Sequence, residues 1–351
     1  MPNKPRLYAV EFLRIWFILL VVALHVFERY PGAVDKMYYF PNYGHAVELF
    51  AIIGGFFLYR RLYGTGNHTV KLIGKTYVRL LPGLLFVFLL SVLFAKVSFR
   101  HLPTQLALLP GTGMQPPSLT SGDWYIGAYF WTTCFLICLS RAPKWAFFLI
   151  LGCMIYTLIV LRTTGPWLPP VRGQKYFMST FYHFVGRDMA RIIYGMGIGI
   201  FASRLEQELS AFFSPSRWSR LLGTAFEAWC IYSIFRYLML PYKSGPSYVE
   251  VMVTTALFLV SIAHSWGYIS SFLNSLKQIQ YISRYVYSLL VGQIFIMMLM
   301  ISRKNFGLDF PEGVLTIALG CIIVCLIEYH LIERRLIPLL LKSRAPAPAP
   351  K

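Results

Sequence analysis

Charge is scarce in this chain: only 13% of its 351 residues are Asp, Glu, Lys or Arg, where soluble domains average about 25%. With mean hydropathy at +0.57, a soluble protein of this length could not clothe its surface, and a soluble fold is excluded. Disordered chains are polar and rich in charge, so disorder is excluded too. Cysteine is sparse: Cys134, Cys138, Cys153, Cys230, Cys321 and Cys325, all inside apolar stretches. That excludes a disulfide scaffold. There is no CxxC and no mixed Cys/His cluster, so no metal site is expected. The pairs Cys134/Cys138 and Cys321/Cys325 have helix spacing and read as small buried hydrophobes. Alternating apolar and polar residues are also missing, which argues against a membrane barrel.

Acidic residues are few beside basic ones, 14 against 33, for a net charge of +19. In a soluble protein that excess would suggest nucleic acid. Here the basic residues lie mostly between apolar runs. Retention of positive loops in the cytoplasm accounts for them more simply, and no nucleic-acid partner is expected.

What is abundant is long apolar sequence. The expected fold class is an all-α polytopic membrane protein with about ten transmembrane helices. The runs are 8–28, 44–60, 77–97, 123–140, 145–162, 188–203, 221–240, 248–269, 282–301 and 313–332. The weakest is 188–203, which is short and contains Arg191. The first run lacks a small-residue cleavage site and reads as a retained helix rather than a signal peptide. With the N-terminus inside, and charges at span ends counted with the adjoining segments, cytoplasmic segments hold 19 Lys and Arg and external ones 11, with 3 inside spans (Arg14, Arg191 and Arg236). Both termini are therefore expected in the cytoplasm. The loop after the second span contributes most, through Arg60, Arg61, Lys71, Lys75 and Arg79.

Two long external connections, 98–122 and 163–187, are rich in Pro, Gly and Thr. They read equally as surface loops and as functional lids holding short interfacial pieces. Residues 1–344 are expected to form a single transmembrane domain, and 345–351 a disordered Ala/Pro tail. No convincing internal repeat is visible, which weighs against a transporter built from repeated halves.

Ionisable residues inside membrane helices are costly and usually face protein or a cavity. The first span carries Glu11, Arg14 and His25. Arg14 and His25 are eleven residues apart, nearly one helix face and about 16 Å of rise. They are two stations on one stripe, with Glu11 close to it. Imidazole is the side chain best matched to proton transfer near neutral pH. On chemistry alone, His25 is open between a catalytic base and a helix-end histidine at the external interface. Glu48, an acid inside the second run, could pair with Arg14, orient His25 or hold a substrate hydroxyl. Gly54 and Gly55 read as packing. Arg79 is open between snorkelling and binding phosphate. Trp124 is open between an interface anchor and a site residue. The glycines of Gly195-Met196-Gly197-Ile198-Gly199 read as a packing face, because no strand precedes them as a dinucleotide loop requires.

Leu13-Arg14, ten intervening residues and His25 resemble the opening of the membrane acyltransferase-3 family. Gly44, Val47, Glu48, Leu49, Phe50, Gly55 and Phe56 resemble its glycine, acidic and aromatic segment, with Gly54 where serine is common. Arg79-Leu80-Leu81-Pro82 resembles its arginine-to-proline step; the usual earlier arginine falls at Thr76, beside Lys75. Trp124 resembles the tryptophan that opens a later helix. The run from Ile282 to Ser288 resembles the family's late serine-tyrosine helix, including Tyr285. Gln293 stands near a usual histidine, and Ile332-Glu333-Arg334 resembles the closing segment.

The resemblance implies an integral-membrane O-acyltransferase. Its donor is a cytoplasmic acyl-CoA, with no tightly bound cofactor, and the group moved is most often acetyl. Its acceptor is a hydroxyl of a surface or lipid-linked glycan, and its location is the inner membrane. On this reading His25, Glu48 and Arg14 are catalytic. Arg79 and Lys75 bind the donor. Glu11, Trp124, Tyr285 and Gln293 are acceptor-binding or structural. Succinyl transfer by the same fold is the first alternative. A non-catalytic glycolipid transporter or membrane subunit is the second, kept open by the missing late histidine.

Overall fold

The structure, a computed structural model, describes residues 7–28, 42–64, 69–112, 123–163, 187–209, 216–239, 245–304, 308 and 312–342. It is all-α. In chain order the helices are α1 (Tyr8–Glu28), α2 (Ala46–Gly64), α3 (Thr69–Phe94), α4 (Leu102–Leu106), α5 (Asp123–Leu139), α6 (Lys144–Thr163) and α7 (Arg187–Glu208). They continue as α8 (Arg217–Met239), α9 (Gly245–Ala263), α10 (Tyr268–Ser275), α11 (Ile279–Ser283), α12 (Val286–Ser302), α13 (Glu312–Glu328) and α14 (Ile337–Lys342). A 3-10 turn, Tyr43–His45, leads into α2, and a π-helical turn, Tyr329–Leu336, joins α13 to α14.

Among the described residues, three segments are long and apolar enough to cross a membrane: Tyr8–His25, Thr69–Phe94 and Glu312–Leu341. A fourth results if Tyr248–Ala263 and Tyr268–Ser275, bent by 64°, form one broken span. Trp124–Leu139, Lys144–Thr157 and Val286–Ser302 are apolar but shorter. The expected runs at 44–60, 188–203 and 221–240 are helical over their described residues, yet each helix carries several charges: Glu48, Arg60 and Arg61 on α2, Asp188, Arg191 and Arg204 on α7, Glu227 and Arg236 on α8. Of these, Glu48, Arg60, Arg191, Arg204 and Glu227 bond to protein partners. Most of the 163–187 connection and the 345–351 tail lie outside the described residues. Of the 98–122 connection, the described part holds a 3-10 turn, Phe99–His101, and the short α4.

The chain divides into two compact units, Met1–Asn67 with Leu139–Ser283 and His68–Cys138 with Arg284–Lys351. In the first, α1 buries Val10, Leu13, Phe17 and Val21 at helical spacing and exposes Phe12 and Leu19. That buried stripe packs on α2, α9, α10 and α11. Its first turn is tied down where Asn274 Oδ1 accepts from the Ala9 amide at 2.8 Å. The tightest pairing in this unit is α2 on α7. The two run parallel: Glu48 meets Arg191 near their starts and Arg60 meets Glu206 at 3.0 Å near their ends. Glycine permits the close approach, since a Cβ at Gly55 would fall 1.9 Å from the Met196 carbonyl oxygen and one at Gly199 1.9 Å from that of Ile52. The glycines at 195–199 are thus packing residues.

On α8, Glu227 is fully buried and fully satisfied. Its carboxylate accepts from Ser261 Oγ at 2.9 Å, Ser270 Oγ at 2.5 Å, and the amides of Gly267 and Ser270 at 3.0 Å each. That knot fixes the bend between α9 and α10.

In the second unit, α3 packs on α4, α12, α14 and the π-helical turn, and α12 packs on α13. Tyr287 Oη donates to the Leu80 carbonyl, two residues before Pro82. The segment after α4 seats α5: Trp131 Nε1 donates to the Ala107 carbonyl at 3.2 Å. Gly111 stands there at φ +76°, where a Cβ would also strike the Trp124 backbone.

Candidate functional site

His25 extends the buried face of α1, four residues beyond Val21, and is itself buried at 8% exposure. Its helix end meets the 3-10 turn before α2: the Leu24 side chain lies 3.8 Å from where a Gly44 Cβ would stand. The first span therefore delivers an imidazole to the protein side of the helix, next to the turn from which α2 springs.

That turn carries a second imidazole. His45 Nδ1 lies 3.3 Å from Glu48 Oε1, one helical turn on. An ionised carboxylate only accepts, so Nδ1 carries the proton. Glu48 has no exposed surface, and Arg191 from α7 clamps it through Nε to Oε1 at 2.6 Å and Nη2 to Oε2 at 3.0 Å. Arg191 Nη2 also donates to the Gly44 carbonyl at 2.9 Å, tying the turn to the ion pair. The His45 ring is walled by Tyr248 at 5.0 Å and Tyr237 at 5.7 Å, and Tyr194 stacks on Tyr248 at 5.7 Å. A two-pronged arginine contact of this kind fixes geometry as well as charge. Both carboxylate oxygens are engaged, Oε1 by His45 and Arg191 and Oε2 by Arg191.

Arg14 sits elsewhere on α1. Its Nη1 donates to Glu11 Oε2 at 2.8 Å, and its guanidinium lies over the Phe50 ring at 5.8 Å. Glu11 is buried and Arg14 partly so. In this arrangement Arg14 pairs with Glu11 and Glu48 with Arg191, and the imidazole that Glu48 holds is that of His45.

In the second unit, Lys75 and Arg79 are exposed one turn apart on α3 and share a face. Trp124, in the first turn of α5, meets Tyr125 edge-on at 6.0 Å. The Tyr285 ring packs on Tyr329 at 4.4 Å. Gln293 is buried in α12, and neither of its amide atoms has a hydrogen-bond partner among the described residues. Among the described residues, no group of three or more His, Cys, Asp or Glu is placed to hold a metal.

Some polar features are not legible in the sequence. Arg191 shows there only as a charge in a weak span, and its partner is 143 residues away. His45 carried a local signal, its spacing of three from Glu48. Glu328, fully buried in the second unit, has no pattern in the sequence to mark it.

Residues 7–330 match a family model described as an acyltransferase domain. The chain therefore belongs to the membrane acyltransferase-3 family, and acyl transfer is the class of chemistry its fold supports. No curated protein matches the chain.

Proposed function

We propose that this protein is a multi-pass inner-membrane O-acyltransferase, and that residues 1–344 are a single transmembrane domain of about ten spans with both termini in the cytoplasm. It moves an acyl group, acetyl in the first instance, from cytoplasmic acyl-CoA to a hydroxyl of a surface or lipid-linked glycan. The observation that carries this reading is His25, a buried imidazole on the protein-facing stripe of α1 in a chain of the acyltransferase-3 family.

The chemistry follows from imidazole at that position. His25 accepts the proton of the acceptor hydroxyl as its oxygen attacks the thioester carbonyl. Collapse of the tetrahedral adduct breaks the carbon–sulfur bond. The leaving thiolate of CoA takes the proton back from the imidazolium, and an ester remains on the acceptor. Glu48 serves by position: with Arg191 and His45 it fixes the turn against which the His25 end of α1 rests. Arg14, braced by Glu11, supplies fixed positive charge on the same helix. Arg79 and Lys75 take the donor's phosphates.

Purified protein in lipid discs, given radiolabelled acetyl-CoA and a membrane glycolipid extract, should move label into a base-labile ester. Transfer from succinyl-CoA alone would replace acetyl by succinyl and keep the fold's role. Binding without transfer from any acyl-CoA would leave the non-catalytic subunit as the reading.

A further inference from the structure

Where α2 and α7 end, the first unit gathers aromatic rings and cations on one surface. Tyr59 and Tyr63 stand one turn apart on α2, with ring centroids at 4.7 Å. From α6, Phe148 lies 6.1 Å from Tyr59 and Phe147 lies 6.3 Å from Tyr63. Two exposed cations rest on this floor. The Lys144 ammonium is 5.4 Å from the Tyr63 centroid, and the Arg204 guanidinium of α7 is 4.3 Å from that of Phe148. Each cation is thereby held near one place by the face of a ring. Retention of positive loops accounts for basic residues near span ends, but not for their seating on a floor shared by three helices.

Two details point to an anion between the cations. Tyr63 Oη is buried and has no hydrogen-bond partner among the described residues. A buried phenol calls for an acceptor. Arg204 is close enough to the Tyr59 and Tyr63 hydroxyls for its charge to act on both. Its Nε donates to Glu208 Oε1 at 2.8 Å in an exposed pair, which leaves the two terminal nitrogens of the fork for an oxyanion. Lys144 and Arg204 against Glu208 leave the patch net positive.

The outer face of α6 supplies the rest of the occupant. Trp145, next to Lys144, is exposed, and so are Leu149, Cys153 and Tyr156. Their spacings of four, four and three place them on one helix face, while Phe148, Leu151 and Ile155 are buried. Tryptophan is common at headgroup level. The face therefore runs from cations at that level onto apolar surface along the helix. A soluble phosphate would use only the cations, whereas a phospholipid uses both.

We infer that Lys144, Arg204 and Tyr63 bind the phosphate of an anionic phospholipid whose acyl chains lie along the exposed face of α6. The flexible Lys144 stem carries its ammonium from the ring onto the phosphate. That movement opens Tyr63 Oη to donate to a phosphate oxygen, and Arg204 holds the same phosphate from its place over Phe148. This lipid site does not depend on acyl transfer being the reaction.

The test titrates the full-length protein, stripped of lipid in detergent, with fluorescent phosphatidylglycerol. Phosphatidylcholine with the same tails and glycerol phosphate serve as competitors. Phosphatidylcholine should compete about tenfold less well than unlabelled phosphatidylglycerol, and glycerol phosphate at the same concentration should not compete. Lys144→Gln and Arg204→Gln should each weaken binding about fivefold, the worth of one cation at a lipid surface. Tyr63→Phe keeps the ring and the charge and should still weaken it by about three- to tenfold. Arg220→Gln, which removes an exposed cation from α8, should stay within about twofold of wild type. Equal competition by the two lipids overturns the site. So does wild-type binding by Tyr63→Phe, or losses in Lys144→Gln and Arg204→Gln no larger than in Arg220→Gln, since charge alone would then account for the binding. Displacement by glycerol phosphate would make the occupant a soluble phosphate and overturn the lipid.

Discussion

The pair of Glu48 and Arg191 invites the sharpest energetic test, because both charges are taken out of water and each satisfies the other. Glu48 is wholly buried, the Arg191 side chain is 12% exposed, and two contacts of 2.6 and 3.0 Å join them. Removing one partner strands a buried charge, which costs about 3–5 kcal/mol, whereas removing both together is often close to neutral. Glu48→Leu and Arg191→Leu should each destabilise the first unit by about that amount. The double variant should recover most of the loss, giving a coupling energy of roughly 3 kcal/mol or more. The assay is reversible unfolding in mixed micelles of the wild type, the two single variants and the double variant. Costs that add to within about 0.5 kcal/mol would show that the two side chains do not depend on one another, and would refute the ion pair as the clamp of α2 on α7.

Two further variants test the packing of the same unit. Gly199→Val should prevent proper folding, since even a first carbon would lie 1.9 Å from the Ile52 carbonyl oxygen, whereas Gly152→Ala should fold, its nearest neighbour being 3.9 Å away; size-exclusion profiles in detergent distinguish the two, and equal tolerance would contradict the close contact of α2 and α7. Glu227→Ala leaves two hydroxyls and two amides at the bend between α9 and α10 without their acceptor, and should cost several kcal/mol, about 1–3 for each stranded group that water does not reach. Thermal unfolding of Glu227→Ala beside an exposed control, Glu250→Ala, checks this, and equal stability of the two would refute it.

Much of this architecture is legible in the residues, and the part that is not has a common cause. The first span, and the stripe on it that holds Arg14 and His25, follow from local periodicity, whereas the role of His25 is implied by the family resemblance and not by spacing. The glycines of α2 and α7 read as packing because small residues at helical spacing have few other uses. Glu48 stood out because an acid in an apolar run demands a partner. Which partner it takes is a tertiary fact: Arg14 and His25 were the nearer candidates in sequence, yet α7 brings Arg191 from 143 positions away. The short, charged character of the 188–203 run is the trace of that pairing. Glu328 was hidden for the opposite reason. It sits at the end of the last long apolar run, where a charge ordinarily faces water, and only the packing of α13 over Gly83 buries it.

The most direct measurement of the central claim uses the wild type and His25→Ala side by side, each shown first to bind CoA. Both receive radiolabelled acetyl-CoA and a glycolipid extract. The account predicts a labelled, base-labile ester from the wild type and a rate lower by about a hundredfold or more from the variant, the contribution expected of a positioned general base, with CoA affinity unchanged. Transfer by His25→Ala at the wild-type rate would contradict it.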